Sequence, residues 1–482
     1  MPPFKPIILC RSITRSSTSS PRTLKEAVEQ VIPLRRQELK ELKSYSNIQV
    51  DSITVGSIIG GMRNNKSMLW QGTTLDPFNG IKFQGKTIQE CQQLLPSSPH
   101  IQSKKTEFMP ESMLWLLMTG EVPKNEEAVG LMHELSQRGK TLPHFVERLL
   151  DSLPRTMHPM TQLAVALASL NSTSTFCKNY QDGVIGKEDY WHYIFEDVLN
   201  LIALLPQLVG KIYSNVTNEG MPLGYFNPER DWSYNIASLL GMTYHDSVNK
   251  RSLTKEQCDD FTDLVRLYCG IHVDHEGGNV SAHATHLVGS ALSDPYLSYS
   301  AGVMGLAGPL HGLAAQEVVR FLVDMAARID SPDNERQVSE YLWSLLNSGK
   351  VVPGYGHAVL RKPDPRFDAM LRFVEARPQE FQGDRYVQLM RNLSKYAPKV
   401  LTEHGKTKNP FPNVDSASGV LFYHYGIHDL LFVTVIFACS RAIGPLTQLV
   451  WDRILGLPIE RPKSVDMATL KQLVTQNLRN TE

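Results

Sequence analysis

Three stretches of this chain carry residue types whose spacing could do chemistry. The first holds His272, Asp274, His275, Glu276 and Asn279, followed by His283 and His286. Such a group could hold a metal ion, and a metal-dependent hydrolase built on the 272–286 histidines is one reading. On a helix, however, this spacing sets His275, His283 and His286 on different faces. Polar residues lining a seam between helices are the competing reading.

The second stretch is Gly305-Leu306-Ala307-Gly308-Pro309-Leu310-His311-Gly312. It places His311 where a glycine- and proline-bearing loop meets a helix predicted from Leu313. The positive end of a helix disfavours imidazolium. A neutral imidazole there could donate an N–H to an oxygen that is gaining negative charge. A capping or core histidine is the alternative, and the glycines on both sides weigh against it.

The third is His357, preceded by Pro353-Gly354-Tyr355-Gly356 and followed by Arg361 and Arg366. Further on, Asp415 stands in Pro412-Asn413-Val414-Asp415-Ser416; by position alone it suits a helix N-cap better than a base. Arg441 is the one charge in a strongly apolar stretch, so it must meet an anion, either an aspartate or a bound carboxylate. Arg461, in Glu460-Arg461-Pro462-Lys463, reads as a surface residue. A carboxylate beside a neutral histidine suits proton abstraction next to a carbonyl. Arginine forks match dicarboxylates. Carbon-acid chemistry on a polycarboxylate fits this inventory, and the sequence holds no GxGxxG or zinc-ribbon motif.

Helices must position these groups. Leu24, Val28, Val31, Ile32, Leu39 and Leu42 recur at helical spacing over 23–44, with a kink expected at Pro33. Pro110-Glu111-Ser112 opens a helix that Gly120 closes. Ala314, Val318, Phe321, Leu322, Met325 and Ile329 form another helical stripe. Leu430 to Cys439 reads as a buried helix too short to span a bilayer. The best strand signals are Ile53-Thr54-Val55 and Ile81-Lys82-Phe83. Two segments, 351–366 and 405–419, break the helical texture and read as loops that approach a ligand. The class is mainly α. A large domain is expected over 23–311, a smaller one over 312–421, and a return to the large domain over 422–482.

Composition limits the partners. The 482 residues hold 49 Lys+Arg and 49 Asp+Glu, so no net charge points to nucleic acid or an acidic membrane. Cys10, Cys91, Cys177, Cys258, Cys269 and Cys439 form no CxxC pair, which suits free buried thiols in a reducing compartment. Residues 1–22 carry Lys5, Arg11, Arg15 and Arg22 among many serines, and the first acid is Glu26. That is the composition of a mitochondrial transit peptide, with cleavage expected before Thr23.

The runs DHEGGNVSAHATHLVGSALSDPYLS (274–298), GLAGPLHGLAAQEV (305–318), VVPGYGHAVLRKPDPRF (351–367), KNPFPNVDSASG (408–419) and ERPKS (460–464) resemble eukaryotic citrate synthases. GGMR (60–63), GIKFQGKTIQECQQLLP (80–96) and PESMLWLLMTGEVP (110–123) match as well. The resemblance runs from about 23 to 470. It implies an all-α fold of a large and a small domain that close over substrate, a homodimer, and residence in the mitochondrial matrix. It implies that acyl-CoA and oxaloacetate are joined and the adduct hydrolysed, with no cofactor and no metal. By motif, His311 would hydrogen-bond the thioester carbonyl, Asp415 would remove the α-proton, and His357 would polarise the oxaloacetate carbonyl. His275, Asn279, Arg366 and Arg441 would bind oxaloacetate, with Arg461 reaching over from the partner subunit. Arg63, Lys178, Lys406 and Lys408 would lie near the CoA phosphates, and the backbone of Val352, Gly354, Tyr355 and Gly356 near the adenine.

There are departures. Lys178 stands where an arginine is common, and Ala438-Cys439 where many relatives have Gly-Val. Segments such as 214–220 are similar to a fungal branch that accepts propionyl-CoA as well as acetyl-CoA. Acyl-chain choice is what these changes touch, with Ala438-Cys439 as the candidate wall; a strict citrate synthase is the alternative.

Overall fold

Capping chemistry fixes where many helices begin. Thr23 and Glu26 form a reciprocal capping box that opens the Leu24–Ser44 helix, which carries Pro33 inside it. Thr254 and Gln257 do the same for Lys255–Ile271. Asp294, Asp364 and Asp384 each precede a first turn and accept backbone N–H groups there. Pro110 opens Pro110–Thr119, and Gly120, left-handed, ends it as expected. The computed structural model describes residues 20–63, 65–100, 107–244, 253–357 and 359–479. The transit-peptide expectation falls almost wholly outside them.

The core is helical. Tyr190–Thr217, 28 residues long, is surrounded by Asn125–Gly139, Pro159–Ser169, Trp232–Leu239, Pro295–Leu306, Leu430–Arg441 and Ile443–Ile454. The apolar run continues well past Cys439: 430–454 and 190–217 are both long and apolar enough to cross a membrane. Most of each is buried inside the chain, as central helices of a large core are. Val280–Ser290 and Pro295–Leu306 pack side by side. A second group, Ala314–Ala326, Glu335–Asn347, Pro365–Glu375, Arg385–His404 and Asp415–His424, packs largely on itself. It meets the first group where Ala314–Ala326 and Asp415–His424 touch Leu430–Arg441.

One hairpin stands among the described residues, Thr73–Asp76 antiparallel to Gly80–Phe83 with Thr73 opposite Phe83. Three expectations are corrected. Ile53-Thr54-Val55 is not a strand, because Thr54 caps the short Val55–Ile59 helix. The 405–419 segment is irregular only to Val414, since the helix begins at Asp415. His275 lies in the irregular stretch before Asn279 and not on a helix with His283 and His286.

Candidate active site

Two loops carry the chemistry, and backbone contacts tie them together. Tyr355 and Pro412 form an isolated antiparallel bridge. The Gly356 N–H donates to Phe411 O at 3.3 Å, and Asn413 N–H donates to Gly354 O at 2.9 Å. Gly354 sits at φ 78°, and a Cβ there would stand 2.5 Å from the Ser416 hydroxyl oxygen. Only glycine lets the loops approach this closely. His357 and Asp415 are thereby brought together from positions far apart in the chain.

His357 is oriented by backbone. Its Nδ1 accepts the N–H groups of Val359 at 3.0 Å and Leu360 at 2.9 Å. The ring proton therefore resides on Nε2, which is left free to donate. Burial, with Arg366 nearby, pushes its pKa down to about 4, so it is neutral at pH 7. The His275 ring lies 5.5 Å from that of His357, and its Nε2 is buried with no partner among the described residues. Burial, then Arg366 and Arg441, hold His275 well below the ordinary histidine range.

The backbone around His275 is set by Asp274, which is fully buried. Its Oδ2 accepts from Trp70 Nε1 and the Thr73 hydroxyl, each at 2.8 Å. Its Oδ1 accepts the His275 N–H at 2.9 Å. Glu276 follows at φ 59°, a left-handed conformation costing about 1–3 kcal/mol for a residue with a side chain. The hairpin holds it there: Thr73 Oγ1 accepts the Glu276 N–H at 2.9 Å, and Glu276 Oε1 accepts the Leu75 N–H at 2.6 Å.

His311 sits three residues before the Ala314–Ala326 helix. Thr434 donates its hydroxyl to Gly312 O at 3.0 Å and holds the turn against Leu430–Arg441. A Cβ on Gly312 would collide with Leu306 O at 2.3 Å. His311 Nε2 accepts the Ser281 N–H at 3.3 Å and lies 2.9 Å from the Ser281 hydroxyl oxygen. Ser281 stands in the first turn of Val280–Ser290. The imidazole proton is therefore on Nδ1. Burial and Arg441 push His311 down to about 4.

Asp415 opens its helix, but Val414 holds the N-cap position and the Asp415 carboxylate accepts no hydrogen bond from a described residue. The N-cap reading of Asp415 is thus corrected. Burial raises its pKa to about 6, against the opposing pull of Arg366.

The arginines divide. Arg366 grips Asp364 with Nε at 3.1 Å and Nη2 at 2.7 Å. Burial works against that guanidinium, but Asp364 outweighs it and holds the pKa up. Asp364 also caps Pro365–Glu375 and accepts the Val414 N–H at 3.3 Å, which joins both loops. Of the two partners expected for Arg441, an aspartate or a bound carboxylate, the described residues supply no aspartate. Arg441 Nε donates to His272 O at 2.9 Å and its Nη1 to Asn279 Oδ1 at 3.3 Å, and no carboxylate pairs with it among the described residues. Burial lowers its pKa to about 10. Arg266, equally buried, shows the contrast: it bridges Asp231 and Asp263.

Asn279 caps Val280–Ser290 and donates to the carbonyls of His275 and Glu276, so its amide positions Arg441 and the His275 loop. Phe437 was not anticipated. One helical turn before Arg441, it lies under that guanidinium at 4.8 Å and within 6.4 Å of the His311 ring. Ala438 and Cys439 are fully buried, and the Ala438 carbonyl accepts from the Tyr299 hydroxyl; Phe437 adds apolar surface beside His311 and Arg441. The positioning roles of Ser281 and Asn413, and of Asp274, which the sequence offered only within the acid and histidine cluster, depend on partners remote in sequence. Asp364 could have been read from the Asp-Pro pattern that opens a helix.

Arg63, Lys178, Lys406, Lys408 and Arg461 are exposed and make no ion pair with a described residue. Val352 is buried, and Gly356 is left-handed at φ 91°. His283 and His286 turn away from His275 to meet Glu460 and Asp452. No three His, Cys, Asp or Glu side chains among the described residues are grouped as a metal site would require.

The geometry can be set beside known proteins. A family model described as citrate synthase, C-terminal domain, matches residues 61–463. Citrate synthase 3, mitochondrial, of Saccharomyces cerevisiae is 63% identical over 470 residues, covering 96% of each chain. The 2-methylcitrate synthase, mitochondrial, of Gibberella moniliformis is 50% identical over 455 residues, covering 94% of this chain and 93% of its own. Citrate synthase from Pyrobaculum aerophilum superposes with a TM-score of 0.69 at 22% identity, covering 87% of this chain and 95% of that one. A Thermoplasma acidophilum citrate synthase, solved with carboxymethyl coenzyme A and oxaloacetate, gives 0.65 at 20% identity, covering 87% and 97%. The last two establish a shared fold. With a family model matching most of its length, and curated relatives that share half or more of their aligned residues, the chain belongs to the citrate synthase family.

Proposed function

We propose that the enzyme condenses an acyl-CoA with oxaloacetate and hydrolyses the adduct to citrate, 2-methylcitrate or both, with release of CoA. The observation that carries this is the arrangement of proton positions. His311 presents Nδ1–H, His357 presents Nε2–H, and Asp415 offers an unengaged carboxylate whose pKa is about 6. Asp415 takes the α-proton of the thioester while His311 donates to the carbonyl oxygen as the enolate forms. The enolate carbon attacks the ketone of oxaloacetate, and His357 donates to the oxygen that gains charge there. Water then cleaves the thioester and the CoA thiol leaves.

Arg441 and Arg366 each keep a guanidinium nitrogen that bonds no described residue, and a dicarboxylate would meet both. His275 Nε2 would gain its missing partner in the same way. Asn279 holds these groups in place. Arg63, Lys178, Lys406 and Lys408 are assigned to CoA phosphates, and the Val352–Gly356 backbone, with Gly354 and Tyr355, to the adenine. This chemistry uses no metal and no cofactor.

A homodimer is part of the proposal, with Arg461 reaching the partner's site. Exposed Val280, Leu287 and Met304 on the Val280–Ser290 and Pro295–Leu306 pair support an apolar contact face. The small domain, 312–421, would close over the substrates. Residence in the mitochondrial matrix is supported by the relatives' names and the basic 1–22 segment.

Relatives named for both products support a dual enzyme. Its test is CoA release from acetyl-CoA and propionyl-CoA with oxaloacetate, with product identification and kcat/KM for each. A single methylene is worth about 1–3 kcal/mol of discrimination, so both values should be measurable. Absence of 2-methylcitrate leaves a strict citrate synthase; absence of release with either thioester overturns the proposal.

A further inference from the structure

Away from these residues lies a cavity of about 310 Å³. Leu292, Leu457, Pro458 and Ile459 give it apolar walls, and Arg453 and Lys187 give it positive charge. It shares no residue with the site described above. Arg453 is 9% exposed, and its Nε and Nη2 are sealed from solvent with no acceptor among the described residues. Leaving a guanidinium buried and unpaired is costly, and proteins retain such groups where an anion comes to meet them. Away from the candidate active site, Arg266 and Arg377 are by contrast each paired with two aspartates.

The adjacent carboxylate does not answer Arg453. Asp452 Oδ2 is engaged by His286 Nδ1 at 2.8 Å, and Oδ1 accepts from Gln448 Nε2 at 2.8 Å. Burial holds the Arg453 pKa below its usual value, with Asp452 opposing, as expected of a cation short of a counter-charge. Lys187 is exposed and forms no ion pair with a described residue. Two cations and the engaged Asp452 carboxylate therefore line this largely apolar space, with no unengaged carboxylate in its lining among the described residues.

We propose that this cavity binds a small organic anion, its oxyanion head on Arg453 and Lys187 and an apolar body against Leu292, Leu457, Pro458 and Ile459. Charge-assisted hydrogen bonds from the fork supply the affinity, and the apolar walls favour a substituted anion over a bare one.

The test is calorimetric titration of the full-length protein with phenyl phosphate, phenylacetate and inorganic phosphate, in saturating oxaloacetate and CoA. The wild type should bind one of the two aromatic anions more tightly than inorganic phosphate; which one identifies the head group. Arg453→Met should weaken that binding by at least about ten-fold. Lys187→Met, at the exposed rim, should weaken it by a smaller factor, and it decides the matter if Arg453→Met does not fold. No binding of any probe, or equal binding by wild type and both variants, overturns the proposal. So does an Arg453→Met protein that keeps probe affinity but loses self-association in sedimentation, because the guanidinium then serves a second copy of the chain.

Discussion

The backbone N–H of Ser281 is directed at Nε2 of His311, 3.3 Å away, and fixes which ring nitrogen carries the proton. A backbone N–H can only donate, so Nε2 must accept and Nδ1 must hold the hydrogen. The serine hydroxyl, 2.9 Å from the same nitrogen, adds a second restraint.

Ser281→Ala removes the hydroxyl and keeps the backbone donor. The imidazole should keep its tautomer but lose some of its orientation. A fall in kcat of about ten-fold, with KM for oxaloacetate little changed, is expected. His311→Ala should cost about 100- to 1000-fold in kcat. Steady-state kinetics of both variants check this, and an unaltered kcat for His311→Ala rules out its assigned role.

Asp415 predicts a pH profile. As a base it must be ionised, so activity should be present above about pH 6 and lost as pH falls through that value. His311 and His357, near 4, stay neutral across this limb. The same shift acts on stability with the opposite sense. A carboxylate raised from 3.8 to about 6 by burial costs nothing below pH 3.8 and its full amount above 6. Asp415→Asn should therefore be inactive yet more stable at pH 8, by on the order of 2 kcal/mol, with no gain at pH 3.5. Oxaloacetate should still bind it. Denaturant unfolding at the two pH values measures the difference.

Arg441 and Arg366 should respond differently to loss of charge. Arg441→Met removes a buried cation that has no carboxylate partner among the described residues, so stability should hold or rise while oxaloacetate binding weakens by about 100-fold. Arg366→Met leaves Asp364 buried without its counter-ion and should destabilise by about 3 kcal/mol. Parallel melting curves and binding titrations separate the two; equal destabilisation contradicts the assignment.

Arg461 is exposed on its own chain. If it completes the partner's site, Arg461→Ala and His311→Ala subunits mixed in one dimer should regain up to roughly a quarter to half of wild-type activity by pairing intact halves. Mixed dimers with no activity mean that Arg461 does not cross over.

Much of this was legible in the chain itself. Local rules place the helices: Thr23 with Glu26, Pro110 with Gly120, and Asp364 before Pro365 each set a boundary within a few residues. The motif runs mark His311, His357 and Asp415 in the sequence itself. Long-range geometry supplied the rest. Thr54 took a short helix where β-branched neighbours suggested a strand, because a capping box outweighed a weak propensity. Asp415 lost its N-cap role to Val414, and Arg441 met carbonyl and amide oxygens with no aspartate among the described residues. Tautomers, pKa shifts and the place of Phe437 beside His311 and Arg441 depend on groups brought together from distant positions. Sequence determines which donors and acceptors exist and where each helix starts. Tertiary packing alone decides which of them are buried together, and burial is what turns an aspartate into a base near pH 6 and histidines into neutral donors.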